Sequence, residues 1–144
     1  MAGHAHILIL DDDADVAYAA QLLLLRRHAE VKTLGDPKGL ARYLEQATPA
    51  VVLLDFNFTR GRTDGAEGLA VLDQLQALPA PPAVIAMTAY ADVPLAVEAM
   101  KRGACDFITK PWDNAHLVAA VDGALTRRAA SQARRPSGPP SRGG

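Results

Sequence analysis

Apolar residues along this chain follow two rhythms: short unbroken runs, and stretches in which they return every three or four positions. His6 to Leu10 is the first run and ends on Asp11-Asp12-Asp13. From Ala14 the spacing turns helical, with Val16, Ala19, Ala20 and Leu23 marking an inner face up to about Arg27. Asp13 and Asp15 at its start and Arg26 and Arg27 at its end suit the helix dipole. Glu30 to Leu34 alternates weakly and reads as an edge strand, broken by Gly35-Asp36-Pro37. Leu40, Leu44 and Ala47 then give a second helix, with Pro37 near its first turn and Pro49 beyond its end. Val51-Val52-Leu53-Leu54 reads as a strand buried on both faces, and it leads straight into Asp55. Leu69, Leu72, Leu75 and Leu78 mark a third helix, stopped by Pro79-Ala80-Pro81-Pro82. Ala83 to Met87 is the next buried strand and meets Thr88. Asp92 is an N-cap for a fourth helix with Ala96, Val97 and Met100 inward, closed by Lys101-Arg102-Gly103. Cys105 to Thr109 is a fifth strand, followed by Lys110-Pro111. A last helix from about Asn114 to Arg128 turns Leu117, Val121 and Leu125 to one side.

Strand and helix thus alternate five times, which predicts an α/β fold: a doubly wound, three-layer (βα)5 arrangement with helices on both faces of a parallel sheet. Residues 1–128 form one domain. From Ala129 onward Ser, Arg, Pro and Gly dominate, a composition that buries no core and predicts a disordered tail or linker over residues 129–144. Such segments often join domains, so an output domain following this one is an expectation.

Composition narrows the setting. The 144 residues are 49% hydrophobic and 22% charged, as in globular proteins generally, and the net charge of −1 gives no global attraction to nucleic acid or an anionic membrane. A single cysteine, Cys105, excludes an internal disulfide and suits a reducing cytosol. Met1-Ala2-Gly3-His4 enters the first strand with neither a basic region nor a cleavage site, and no run reaches membrane-spanning length. A cytoplasmic location follows.

The chemistry lies at the strand ends. Asp11 and Asp12 follow strand one, Asp55 strand three, Thr88 strand four and Lys110 strand five. In a parallel sheet these carboxyl ends meet at one edge, where open α/β sheets bind their ligands. Carboxylates gathered there repel one another and raise each other's pKa, a conflict a divalent cation resolves. Mg2+ takes oxygen ligands from one or two carboxylates and a phosphate, so Asp12 and Asp55 are its direct ligands, with Asp11 through water or as a further carboxylate. A carboxylate beside that ion can attack phosphorus and become an acyl phosphate, while the Lys110 ammonium and Thr88 hydroxyl meet the equatorial oxygens. Any one of these residues alone is an ordinary turn former or cap. Their joint occurrence at four strand ends carries the reading.

With those motifs in view, the chain resembles the receiver domain of bacterial two-component response regulators (the CheY-like superfamily) over roughly residues 5–128. The matching elements are Ile7-Leu8-Ile9-Leu10-Asp11-Asp12-Asp13, Val51-Val52-Leu53-Leu54-Asp55, Met87-Thr88-Ala89 and Gly103-Ala104-Cys105-Asp106-Phe107-Ile108-Thr109-Lys110-Pro111. The resemblance implies a flavodoxin-like sheet of order 2-1-3-4-5 and Mg2+-dependent phosphotransfer to Asp55 from a sensor histidine kinase. It implies Asp11, Asp12, Asp55 and the Asn57 backbone carbonyl as metal ligands, Ala89 as a phosphate contact and Thr88 as the switch hydroxyl. It further implies Phe107 as the switch aromatic, Lys110 as the phosphate lysine, and a cis Lys110-Pro111 bond. Implied partners are a C-terminal output domain or a DNA-binding partner acting in transcription control. A second copy would join through the face of helix 4, strand 5 and helix 5 on phosphorylation. No direct nucleic-acid or membrane contact is implied. The alternative is a stand-alone receiver acting by protein–protein contact.

Departures from the family pattern matter too. Phe58-Thr59 replaces the usual apolar-proline pair after the acceptor, and Gly68-Leu69 arrives about five residues late. The loop Thr59–Glu67, carrying Arg60 and Arg62, is a surface insertion or a contact to phosphoryl group or kinase. This loop, with Lys110-Pro111-Trp112, resembles receivers of sigma-54-dependent, NtrC-type activators. In receivers the position of Tyr90 lies beside the path of hydrolytic water, so the resemblance implies that Tyr90 shields the acyl phosphate and slows self-dephosphorylation; the alternative is an exposed loop tyrosine. An aspartyl-phosphate hydrolase would need an acid two residues after its nucleophile; Asn57 stands there, so no turning-over enzyme is expected. His4 and His6 read as surface and strand residues, His28 and His116 as isolated, and Cys105 as a buried strand residue. Trp112 is either a packed cap on the last helix or part of an interaction face.

Overall fold

A computed structural model describes residues 6–56, 66–89 and 92–134. The apolar runs become strands β1 (Ile7–Leu10), β2 (Val31–Leu34), β3 (Val51–Asp55), β4 (Ala83–Ala89) and β5 (Asp106–Lys110). They pair in parallel in the order β2-β1-β3-β4-β5, as the flavodoxin-like reading requires. Between them run α1 (Ala14–Leu25), α2 (Leu40–Gln46) after a 3-10 turn at Pro37–Gly39, α3 (Ala66–Gln76), α4 (Val93–Lys101) and α5 (Asn114–Arg134).

Strand side chains alternate between the two faces of the sheet, and this splits the core in two. Ile7, Ile9, Val51, Leu53, Ile85 and Met87 face α1 and α5, where Ala20, Leu24, Leu117 and Val121 cover them. Leu8, Leu10, Val52, Leu54, Val84 and Ala86 face α2, α3 and α4, met by Leu40, Leu72, Leu75 and Leu95. All of β3 is buried, whereas the edge strand β2 is exposed along half its length. Burial on both faces is why the β3 run carries no polar alternation.

Two helix faces differ from the sequence reading. In α1 the buried positions are Ala17, Ala20 and Leu24, with Ala19 exposed and Val16 and Leu23 half-buried. The run Leu22-Leu23-Leu24-Leu25 leaves the helical phase ambiguous, and the small alanines win the sheet-facing arc because they let the helix approach closely. The same happens in α4. Leu95, Ala96 and Ala99 face the sheet, while Val97 and Met100 are 47% and 41% exposed.

Several ends are as the sequence predicts, and one is not. Asp92 caps α4, its carboxylate accepting from Leu95 N at 3.4 Å, and Gly103 closes it at φ 113°, a conformation that favours glycine. The Lys110-Pro111 peptide is cis, as the resemblance implies. By contrast, α5 continues to Arg134, so residues 129–134, read as the start of a tail, are helical. Ala129, Ala130 and Ala133 are strong helix formers, and the first breaker is Pro136, which also disfavours helix at Arg135. Residues 135–144 lie outside the described residues. Among the described residues no helix is long and apolar enough to cross a membrane.

Candidate phosphoacceptor site

The carboxyl ends of the central strands bring the predicted residues together. Asp11 follows β1, Asp55 closes β3, Thr88 is the penultimate residue of β4 and Lys110 closes β5. Parallel register sets Ala89 opposite Lys110 and Thr88 opposite Thr109. Asp11, Asp55 and Thr88 are each only 1% exposed, whereas Asp12 is open to solvent.

Lys110 ties the group together. Its Nζ donates to Asp11 Oδ2 at 3.0 Å and lies 3.3 Å from Asp55 Oδ1. Burial pushes the Lys110 pKa down, but the Asp55 and Asp11 carboxylates outweigh it, so the net direction is upward and the ammonium is held charged. Asp11 is fixed from its other oxygen as well, Oδ1 accepting from Asp13 N at 2.9 Å. Asp13 in turn caps α1, accepting from Asp15 N at 3.1 Å and Val16 N at 3.2 Å. The acidic triplet is therefore divided in labour: Asp11 faces inward, Asp12 is the open carboxylate, and Asp13 starts the helix.

The donor set fits a divalent cation. One oxygen from each of Asp11, Asp12 and Asp55 lies within 4.8 Å of the others. Lys110 supplies one positive charge against three carboxylates, and an all-oxygen set of this kind suits Mg2+. Thr88 Oγ1 is buried without a hydrogen-bond partner. A buried hydroxyl left unsatisfied costs stability, so its presence beside this cluster points to a ligand oxygen as its partner.

Other predicted positions fall as follows. Phe107 is half-buried against the core under α2, α3 and α4, its N–H donating to Asp106 Oδ1 at 2.8 Å. Trp112 packs partly on the α1–α5 core and also walls a groove of about 580 Å³ with Asp15, Val16, Ala19, Lys110 and Pro111. Its packing favours the first of the two roles the sequence left open. Asn57, Tyr90, Arg60 and Arg62 lie outside the described residues, and α3 starts at Ala66, within the span read as loop. His6 stands immediately before β1, as a residue of the strand start, and is 6% exposed, with Nε2 2.8 Å from Tyr43 Oη. His28 is not isolated, since its Nε2 lies 3.2 Å from Asp122 Oδ1, beside the Arg27–Asp122 ion pair at 2.7 Å. Cys105, read as a buried strand residue, stands half-buried just before β5, where burial raises its thiol pKa against the lowering effect of Arg127. The sequence reading missed how Gly68 meets Phe56; the only signal was a glycine inside a helical pattern.

Comparison with known proteins agrees with this geometry. Residues 7–122 match the response regulator receiver domain family. The chain is 41% identical over 129 residues to the transcriptional regulatory protein FixJ of Azorhizobium caulinodans, covering 84% of this chain and 55% of FixJ. To the DNA-binding transcriptional regulator NtrC of Klebsiella pneumoniae it is 33% identical over 118 residues, 82% of this chain and 24% of NtrC. It thus spans about half the length of the first relative and a quarter of the second. A receiver domain of a two-component response regulator from Bacteroides fragilis superposes with a TM-score of 0.74 at 40% identity, covering 85% of this chain and 98% of that domain. Likeness to NtrC accords with the kinship read from the loop and from Lys110-Pro111-Trp112.

Proposed function

Because this chain belongs to the response regulator receiver domain family, we propose that Asp55 takes a phosphoryl group from a sensor histidine kinase and that the domain switches an output acting in transcription control. An oxygen of the Asp55 carboxylate attacks phosphorus, a P–O bond forms as the P–N bond of the donor phosphohistidine breaks, and the imidazole leaves with the bond pair. Lys110 gives up its contact with Asp55 and follows the negative charge onto a phosphoryl oxygen. Thr88, whose hydroxyl otherwise has no partner, donates to another. Phe107 turns inward as Thr88 moves, and Ala89 contributes a contact from the strand end. Asp11, Asp12 and Asp55 would hold Mg2+, with the Asn57 carbonyl as a further ligand; when bound, the ion supplies the positive charge that three carboxylates and a phosphoryl group require.

The observation that carries this reading is Lys110 spanning Asp11 and Asp55 beside an unpartnered Thr88 hydroxyl. Asn57 in place of an acid leaves no donor for a leaving group, so the domain acts as a reversible acceptor and not as a turning-over enzyme. Tyr90 shields the acyl phosphate. The setting is the cytoplasm, and the output is either a C-terminal domain or a separate DNA-binding partner. The test is incubation with acetyl phosphate and Mg2+, followed by intact-protein mass measurement. One phosphoryl group is expected on the native chain and none on Asp55→Asn; a modification that survives the substitution overturns the assignment.

A further inference from the structure

Gly68 stands in the first turn of α3 with no positive φ, so no backbone demand explains it, and glycine forms helix less readily than alanine. Its reason is proximity. A Cβ at this position would lie 2.7 Å from Phe56 Cγ, 3.0 Å from Phe56 Cδ1 and 3.0 Å from Phe56 Cα. The ring of Phe56, 2% exposed, is therefore seated directly on the α3 backbone, and the Phe56 N–H donates to Met87 O at 3.0 Å. Phe56 is the residue immediately after Asp55. Consecutive side chains point to opposite faces, so the ring is anchored on the α3 side while the carboxylate turns the other way. Fixing the ring and the amide of Phe56 fixes the peptide that joins it to Asp55, and with it the direction in which the carboxylate leaves the strand.

We propose that Phe56 and Gly68 form a peg and seat that aims the Asp55 carboxylate at the metal and the incoming phosphorus, making both positioning residues for acylation. The inference rests on the phosphoacceptor reading above. A Cβ at residue 68 would push both ring and backbone of Phe56 and rotate the acid away from Asp11 and Asp12.

The test uses the full chain and three readouts: Mg2+ affinity by calorimetry, the acylation rate with acetyl phosphate, and the thermal midpoint. Gly68→Ala is expected to weaken Mg2+ binding about threefold and to slow acylation about tenfold at temperatures where circular dichroism shows it folded. Gly123→Ala controls for the change in helix propensity, because its Cβ would meet only the far end of Arg127 at 3.9 Å, and both readouts should stay native. In a Phe56→Ala background the same Gly68→Ala change should cost less than about threefold in rate, because the two effects are coupled. Native Mg2+ affinity and rate in Gly68→Ala, or an equal loss in both backgrounds, overturns the proposal. If Gly68→Ala does not fold, Phe56→Leu removes the ring and should show the same Mg2+ weakening; native affinity there overturns it too. A native chain that takes no phosphoryl group at all overturns the acceptor reading instead.

Discussion

At the scale of single residues, the site is governed by an imbalance of charge that Lys110 only partly corrects. Asp11 and Asp55 are almost fully removed from water, while the Lys110 side chain keeps 21% of its exposure. Removing the ammonium takes a close cation from two buried carboxylates, and breaking such a pair costs more than the pair contributes. Lys110→Ala should therefore lower unfolding free energy by about 2 kcal/mol in a metal-free buffer, a figure discounted for the exposure of the lysine. Urea titrations with and without Mg2+ would check it, because the deficit should shrink when the cation is present. His6 offers a second residue-level test at the opposite end of the sheet. Burial lowers its pKa below the ordinary 6.5, Lys32 adds to this, and Glu30 opposes it, while Tyr43 provides the hydrogen bond. The folded chain thus binds a proton at His6 less readily than the unfolded chain. The stabilisation is present above pH 6.5 and is lost as pH falls through the lowered folded value. His6→Gln should flatten the pH dependence of the urea midpoint below pH 6.5, and an unchanged slope would show that the histidine contributes none of it.

Helices here are placed by their smallest residues. Ala17 and Ala20 bring α1 against the sheet, Ala96 and Ala99 bring α4, and Ala120 and Ala124 bring α5. Ala99 is fully buried, so Ala99→Leu should push α4 from the strands and cost about 2 kcal/mol in chemical denaturation, within the usual range for overpacking. The same fact explains which part of the fold was legible from sequence. Strand positions were readable from continuous aliphatic runs bounded by turn residues, such as Val51 to Leu54, whereas the strand order came from the family resemblance. Helix existence was readable, but helix phase was not, since alanine carries too little hydrophobic signal to compete with Val97 and Met100 in a periodicity count. Helix length also escaped at the end of α5, where arginine and serine suggest a tail although alanine and the absence of proline before residue 136 favour helix.

Over the whole molecule, two cores on opposite faces of one sheet leave α4 with an apolar outer stripe of Val93, Val97 and Met100, exposed by 56%, 47% and 41%. This stripe fits the association of phosphorylated copies through α4, β5 and α5 that the family resemblance implies. Val97→Glu should leave the monomer's unfolding free energy within about 0.5 kcal/mol of native, and sedimentation should show loss of any phosphorylation-dependent dimer. A mutant that still dimerises on acetyl phosphate places the interface elsewhere. The candidate site was almost wholly legible, since Asp11, Asp12, Asp55, Thr88 and Lys110 converge as strand-end residues must in this topology. Its support was not. The partnership of Asp11 with Asp13 N, the stacking of Phe56 on Gly68 and the burial of His6 under Tyr43 depend on distances that no one-dimensional pattern encodes.

The reach of Lys110 has a consequence for how the protein comes into being. Its partners are Asp11 and Asp55, 99 and 55 residues earlier in the chain, and the three residues sit on or beside different strands of one sheet. As the polypeptide leaves the ribosome, the acids emerge long before the cation that balances them. A nascent chain that has assembled β1 and β3 but not β5 holds Asp11 and Asp55 without Lys110, so the cluster is complete only when the last strand docks.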